Sequence, residues 1–137
     1  MSEIPGEDGS QDFVEVRLPA AGAYLSVLRT ATAGLAARLD FTLDEIEDLR
    51  IAVDEACAIL LQQATPGSTL ECRFTLIGDA LRVTVSAPTT EGHAPERDTF
   101  AWTVLSALAG EVESAVAEDR TVSISLHKKR GAASGAP

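Results

Sequence analysis

The sequence predicts an α+β fold: a two-layer sandwich whose mostly antiparallel sheet is covered on one face by three helices. Three observations lead there. Apolar and polar residues alternate in five short segments, as in strands buried on one side. In three longer segments apolar residues recur every three or four positions, as on one face of a helix. The two kinds of segment follow in blocks, β-α-α-β-β-loop-α-β-β, which favours hairpin-joined strands over a parallel sheet. At 137 residues the chain is long enough for one domain with a real core.

Residues 1–12 are acidic and aperiodic, a disordered lead-in to a domain over 13–128. In 13–18, Val14, Val16 and Leu18 alternate with Glu15 and Arg17, and Pro19 closes the strand. Residues 23–39 carry Tyr24, Leu28, Ala31, Leu35 and Leu39 on one stripe, a helix that Gly34 weakens locally. The short Asp40-Phe41 link makes the next helix a roughly antiparallel neighbour.

That next helix, LDEIEDLRIAVDEACAILLQQA over 43–64, is the element around which the chain is organised. Ile46, Leu49, Val53, Ala56 and Leu60 make its apolar stripe. Thr42 and Glu45 have the spacing of a capping box, and Pro66-Gly67 ends the run. Ile51, Glu55 and Ile59, each four apart, share a second face, so one carboxylate stands among apolar neighbours.

Leu70, Cys72, Phe74 and Leu76 alternate with polar residues, as do Leu81, Val83 and Val85; the IGDA stretch at 77–80 joins them as a hairpin. The polar, proline-containing APTTEGHAPER at 87–97 is a loop of functional size. Phe100, Val104 and Leu108 open a third helix that stops at Gly110. A weaker strand at 111–116 and a strand at 122–126 finish the sheet, and 129–137 is expected to be a flexible tail.

A net charge of −10, with no basic stripe before the terminal His127-Lys128-Lys129-Arg130, argues against direct nucleic-acid binding. No apolar run has the length of a membrane span, and the start has no basic region followed by an apolar stretch. Cys57 and Cys72 have no metal-ligand spacing and read as buried reduced thiols of a cytoplasmic protein. His93 and His127 have no hydrolase motif around them. Trp102 reads as core or as a partner anchor.

The order of elements, with Glu55 midway along the second helix, resembles the GHKL ATPase/kinase fold. More narrowly, LRIAVDEACAILLQQA at 49–64 is similar to the RsbW/SpoIIAB family of bacterial anti-sigma factors with serine-kinase activity. The stretch FAWTVLSAL at 100–108 resembles the actinobacterial, UsfX-type members. The resemblance implies that Glu55 keeps the position of the base that activates the attacking hydroxyl. Ile59 stands where the family has its magnesium-binding Asn, and it offers no oxygen. Ala87 stands at the adenine-reading Asp, with PTTE at 88–91 in place of the glycines that follow it. Thr99 and Ala101 fall in the segment where the family has a glycine-rich phosphate lid.

With magnesium ligand, adenine reader and phosphate loop all substituted, the resemblance implies a degenerate nucleotide site without a bound cofactor. What it leaves is capture of a sigma factor by a homodimer, relieved by a competing anti-anti-sigma protein of the STAS type. The family's sigma-binding arginine falls at Arg29, and a neighbouring acidic contact position falls at Leu25. The alternative is an active serine kinase that phosphorylates the anti-anti-sigma partner with ATP and magnesium. A third reading is a pocket repurposed for another small regulator.

Overall fold

The computed structural model describes residues 12–131. Their elements run β1 (Asp12–Pro19), a single 3-10 turn (Gly22–Tyr24), α1 (Leu25–Arg38), α2 (Leu43–Leu61), β2 (Thr69–Ile77), β3 (Ala80–Pro88), α3 (Phe100–Ala109), β4 (Glu111–Val116) and β5 (Thr121–Lys129). The block order and the two-layer architecture are those expected. The lead-in lies outside the described residues except for Asp12, which opens β1.

Thr42 starts α2. Its hydroxyl accepts the Glu45 amide at 3.1 Å, and the Glu45 carboxylate accepts the Thr42 amide at 2.8 Å, so two orphan donors are satisfied reciprocally. Upstream, Phe41 N donates to Ala36 O and Asp40 N to Ala37 O, a paired closure of α1. Asp40 takes φ 64°, a left-handed conformation that Asp tolerates better than bulkier residues. Phe41 then buries its ring and fixes the antiparallel return.

The loop expected from 87 begins only after Pro88 of β3, the last strand is longer than expected, and two helix boundaries differ. The stretch 23–39 is a 3-10 turn followed by α1, and α2 stops at Leu61, not at 64. The reason for the second lies in the sheet: Ala64 forms a bridge with Thr89, and Thr65 N donates to Pro88 O at 2.8 Å. Those backbone groups cannot also continue a helix.

The sheet is antiparallel throughout, in the order β1-β2-β3-β5-β4. The last strand is therefore inserted between β3 and β4. Helix α2 packs between α1 and α3 and against β3 and β5. Its Leu49, Ala52, Val53, Ala56 and Leu60 are fully buried with Leu70, Phe74, Val83, Val85, Ile124 and Leu126 of the sheet. A buried Leu of this kind stabilises by about 1.5–3 kcal/mol. Trp102 is buried, which settles its role as core.

The opposite face of the sheet is polar. Arg17 pairs with Glu71 at 3.0 Å and Arg73 with Glu15 at 2.9 Å, while Thr84 and Ser125 share a hydrogen bond at 2.9 Å. The Arg73 guanidinium also lies 3.7 Å from the Phe13 ring centroid.

The expected tail from 129 is a correction as far as the described residues reach. Lys129 ends β5, Arg130 N donates to Asp79 O at 2.8 Å, and Gly131 N donates to Glu45 at 2.7 Å. Residues 132–137 lie outside the described part. Lys128, expected in a solvated basic run, is turned inward. Its ammonium donates to the Leu108 carbonyl at 2.8 Å, near the C-terminus of α3, where a cation suits the helix dipole.

Candidate functional site

The last turns of α2, the 89–99 loop and the first turn of α3 enclose a cleft of about 380 Å³. It is lined by Ile59, Gln62 and Gln63 of the α2 end, by residues 93–96, and by Thr99 and Ala101. Of the positions that the resemblance places at a nucleotide site, Ile59, Thr99 and Ala101 therefore come together from distant parts of the chain, while Ala87 is not among the lining residues. A smaller hollow of about 280 Å³, walled by Gln62, Gln63, Ala64, Thr90, Glu91 and His93, adjoins it.

The loop is held by specific bonds. The Gln63 side-chain amide donates to His93 O at 2.7 Å, and its oxygen accepts His93 N at 3.2 Å. Thr89 anchors the other end: its hydroxyl donates to Arg120 O at 2.6 Å and accepts Gly92 N at 2.8 Å. Gly92 has φ +70°, and a Cβ there would stand 3.2 Å from the Arg120 side chain, so both backbone and space favour glycine. The His93 ring is 2.8 Å from the Glu91 carboxylate. None of these partners was found by sequence reading. Gln63 and His93 are thirty residues apart, and only the fold brings them together.

Position by position, the site does not fit a magnesium nucleotide. Ile59 presents hydrocarbon to the cleft, whereas a hard cation needs oxygen. Ala87 is buried in β3, paired with Val122, and has no side-chain acceptor for a base. Thr99 spends its hydroxyl on the Trp102 amide at 3.1 Å, capping α3 with its own side chain. Neither Lys nor Arg lines the cleft, while Glu96 does and Glu91 lies in the adjoining hollow. Glu55, one turn before Ile59, is half-exposed and outside the lining. Among the described residues no group of three or more His, Cys, Asp or Glu side chains is placed to hold a metal.

The two partner positions have different fates. Arg29 projects from α1 to α2, where its Nε donates to both carboxylate oxygens of Asp54, at 2.8 and 3.0 Å. Leu25 is a correction: it is buried in the core, so its side chain is not available to a partner. It sits at the first turn of α1, on the same face as the buried Leu28, Thr32 and Ala36.

Both cysteines are buried free thiols. Burial, aided by the nearby Asp54 charge, pushes the Cys57 thiol up to about 12; burial, with Cys57 close by, raises Cys72 as well. Neither is a nucleophile at neutral pH.

No protein-family model matches the chain. Known proteins do. Over 115 residues the chain is 34% identical to the anti-sigma-F factor RsbW of Mycobacterium tuberculosis, covering 82% of this chain and 68% of that protein. It is 38% identical over 78 residues to the serine-protein kinase RsbW of Bacillus subtilis, covering 55% and 49% respectively. With the corresponding kinase of Halalkalibacterium halodurans it shares 35% over 90 residues, 65% of this chain and 54% of that one. The chain thus spans about half the length of the Bacillus relatives it matches. Among solved structures, the RsbU and RsbW domains of a Mycobacterium tuberculosis protein superpose with a TM-score of 0.66 at 15% identity. That match covers 87% of this chain and 32% of the other, and at such identity it speaks for the fold alone. No helix among the described residues is long and apolar enough to cross a membrane.

Proposed function

Because the chain belongs to the RsbW family of anti-sigma factors, we propose that it is a non-catalytic partner switch. It binds a sigma factor and keeps it from core RNA polymerase, and it is relieved when an anti-anti-sigma protein of the STAS type competes for it. In this reading the kinase activity carried in the names of the Bacillus relatives is lost.

One observation carries the non-catalytic part: the cleft lining. Phosphoryl transfer depends on positioning and on neutralising the charge of the transferred group. Ile59, Thr99 and Ala101 supply neither, and the carboxylate of Glu96 would oppose a polyphosphate. Glu55 alone can accept a proton but cannot hold the donor of a phosphoryl group.

For capture, the outer face of α1 is the favoured surface. Ser26, Val27, Thr30 and Gly34 are exposed there, Val27 at 50%, and Arg29 is the single charge before Arg38. On a chain of net charge −10, a helix face of this kind is a low-desolvation surface, bordered by the Arg29–Asp54 ion pair. The homodimer belongs to the same proposal and is read by sedimentation equilibrium.

The test combines two measurements on the purified chain. Calorimetry with ATP and ADP, with and without magnesium, is expected to show no binding up to millimolar nucleotide. In vitro transcription by holoenzymes carrying alternative sigma factors of the source organism is expected to be inhibited for at least one of them, without ATP. Magnesium-dependent micromolar nucleotide binding, or inhibition that requires ATP, would favour the active kinase instead.

A further inference from the structure

We propose that the cleft beside Ile59 is a docking groove for a short extended segment of a protein partner, one that carries an apolar side chain next to a lysine or arginine. The inference rests on the reading that this cleft does not take a nucleotide, and it assigns the vacated space a new occupant.

Three features of the cleft select that chemistry. The first is charge. Glu96 lines it, Glu91 stands in the adjoining hollow with the His93 ring 2.8 Å from its carboxylate, and among the described residues no Lys or Arg is in either lining. Of the arginines flanking the loop, Arg97 turns its guanidinium to Trp102, 5.2 Å from the ring centroid, and Arg120 donates to Thr90 O at 2.8 Å beside the smaller hollow, so the acidic character belongs to the main cleft, at Glu96. In a chain of net charge −10, such a groove draws cationic groups and repels anions.

The second is the apolar wall. Ile59, Ala94, Pro95 and Ala101 give the groove a hydrocarbon side with room for a side chain of leucine size within about 380 Å³. Phe100, the first residue of α3 and the neighbour of both Thr99 and Ala101, is 83% exposed. It lies outside the groove lining, an exposed aromatic of the kind that partner segments cover.

The third is hydrogen bonding. Gln62 is exposed at the end of α2 and lines the groove with both a donor and an acceptor. Gln63 beside it already grips the His93 backbone through its N–H and its C=O. A carboxamide at Gln62 can grip an added strand of backbone in the same two-point manner.

The experiment follows backbone amide signals of the isotope-labelled full chain by NMR. The probes are acetyl-Leu-Arg-Leu-Arg-amide, acetyl-Leu-Glu-Leu-Glu-amide, and ATP with magnesium. The arginine peptide is expected to move the signals of Gln63, Ala94, Thr99 and Ala101 saturably, with the glutamate peptide roughly tenfold weaker. The exposed substitution Glu96→Lys is expected to reverse that order without altering the melting temperature. Equal response to both peptides, shifts spread over other acidic surfaces, or no shift at all would overturn the docking groove while leaving the partner switch intact. Shifts of the same amides by ATP would instead bring down the nucleotide-free reading, and the groove with it.

Discussion

Replacing Arg29 separates its two roles by size. Within the chain it is an ion pair with Asp54 at 2.8 Å, its side chain 41% exposed and that of Asp54 37%. At that exposure solvent screens the attraction, and such pairs contribute about 0.2–1 kcal/mol. Arg29→Ala should therefore lower the melting temperature by no more than about 4 °C. If Arg29 is also covered by the sigma factor, truncating it costs about 2–4 kcal/mol of binding. That is a loss of roughly 30- to 700-fold in affinity. Asp54→Asn is the internal control. It removes the tie between the helices but keeps the guanidinium, so capture should change far less than with Arg29→Ala. Thermal melts and a calorimetric titration with the sigma factor give both numbers on the same preparations. Capture unchanged within about threefold for Arg29→Ala, with the fold intact, would show that Arg29 only ties α1 to α2.

Three further outcomes are expected. Glu45→Ala removes the carboxylate that accepts the Thr42 and Gly131 amides, leaving the Thr42 hydroxyl on the residue-45 amide, so it should destabilise by about 2–4 kcal/mol in urea unfolding. Although burial alone would raise the Glu45 pKa, the Thr42 and Gly131 amides, the Thr42 side chain and Lys128 together hold it below the usual carboxylate range. Its charge therefore stabilises the fold above the ordinary glutamate pKa, and this stability is lost as pH falls through the lower folded value; the acid limb should flatten in Glu45→Ala. Thr99→Ala should cost about 1 kcal/mol and raise amide exchange at Trp102, since α3 loses its cap. Cys57 and Cys72 should resist alkylation at pH 8 in the native chain and react on unfolding. Because their thiol pKa values are raised by folding, stability should begin to fall as pH rises past about 8.5.

Local chemistry made much of the fold legible. Thr42 with Glu45 named the start of α2, the IGDA stretch named the β2–β3 hairpin, and Gly110, at φ +89°, named the stop of α3. Each of these is decided within a few residues. Most of what could not be read depends on distant chain. Ala64 leaves the helix because Thr89 pairs with it. Leu25 is a local miss: the buried face of α1 is Leu25, Leu28, Thr32 and Ala36, and the polar Thr32, which donates to Leu28 O, interrupts the apolar pattern, so a stripe drawn from the exposed Tyr24 passed Leu25 by. Lys128 fits the inward phase of β5, but a lysine inside a basic run reads as solvated unless its acceptor, Leu108 O, is known. Within the cleft, aligned substitutions identified Ile59, Thr99 and Ala101, whereas the Gln63–His93 grip left no local trace in the sequence.

The placement of β5 between β3 and β4 also bears on biosynthesis. A chain emerging from the ribosome can zip β1, β2 and β3 together, yet one long edge of β3 stays unsatisfied until Lys129 is made. Through that interval Leu81, Val83 and Val85 have helices above them and β2 on one side, but no strand on the other. At translation speeds of about 5–20 residues per second the delay lasts on the order of seconds. Nascent chains interrupted after α3 should therefore be sticky, chaperone-dependent and readily degraded, whereas emergence of β5 allows the sheet to close in one step.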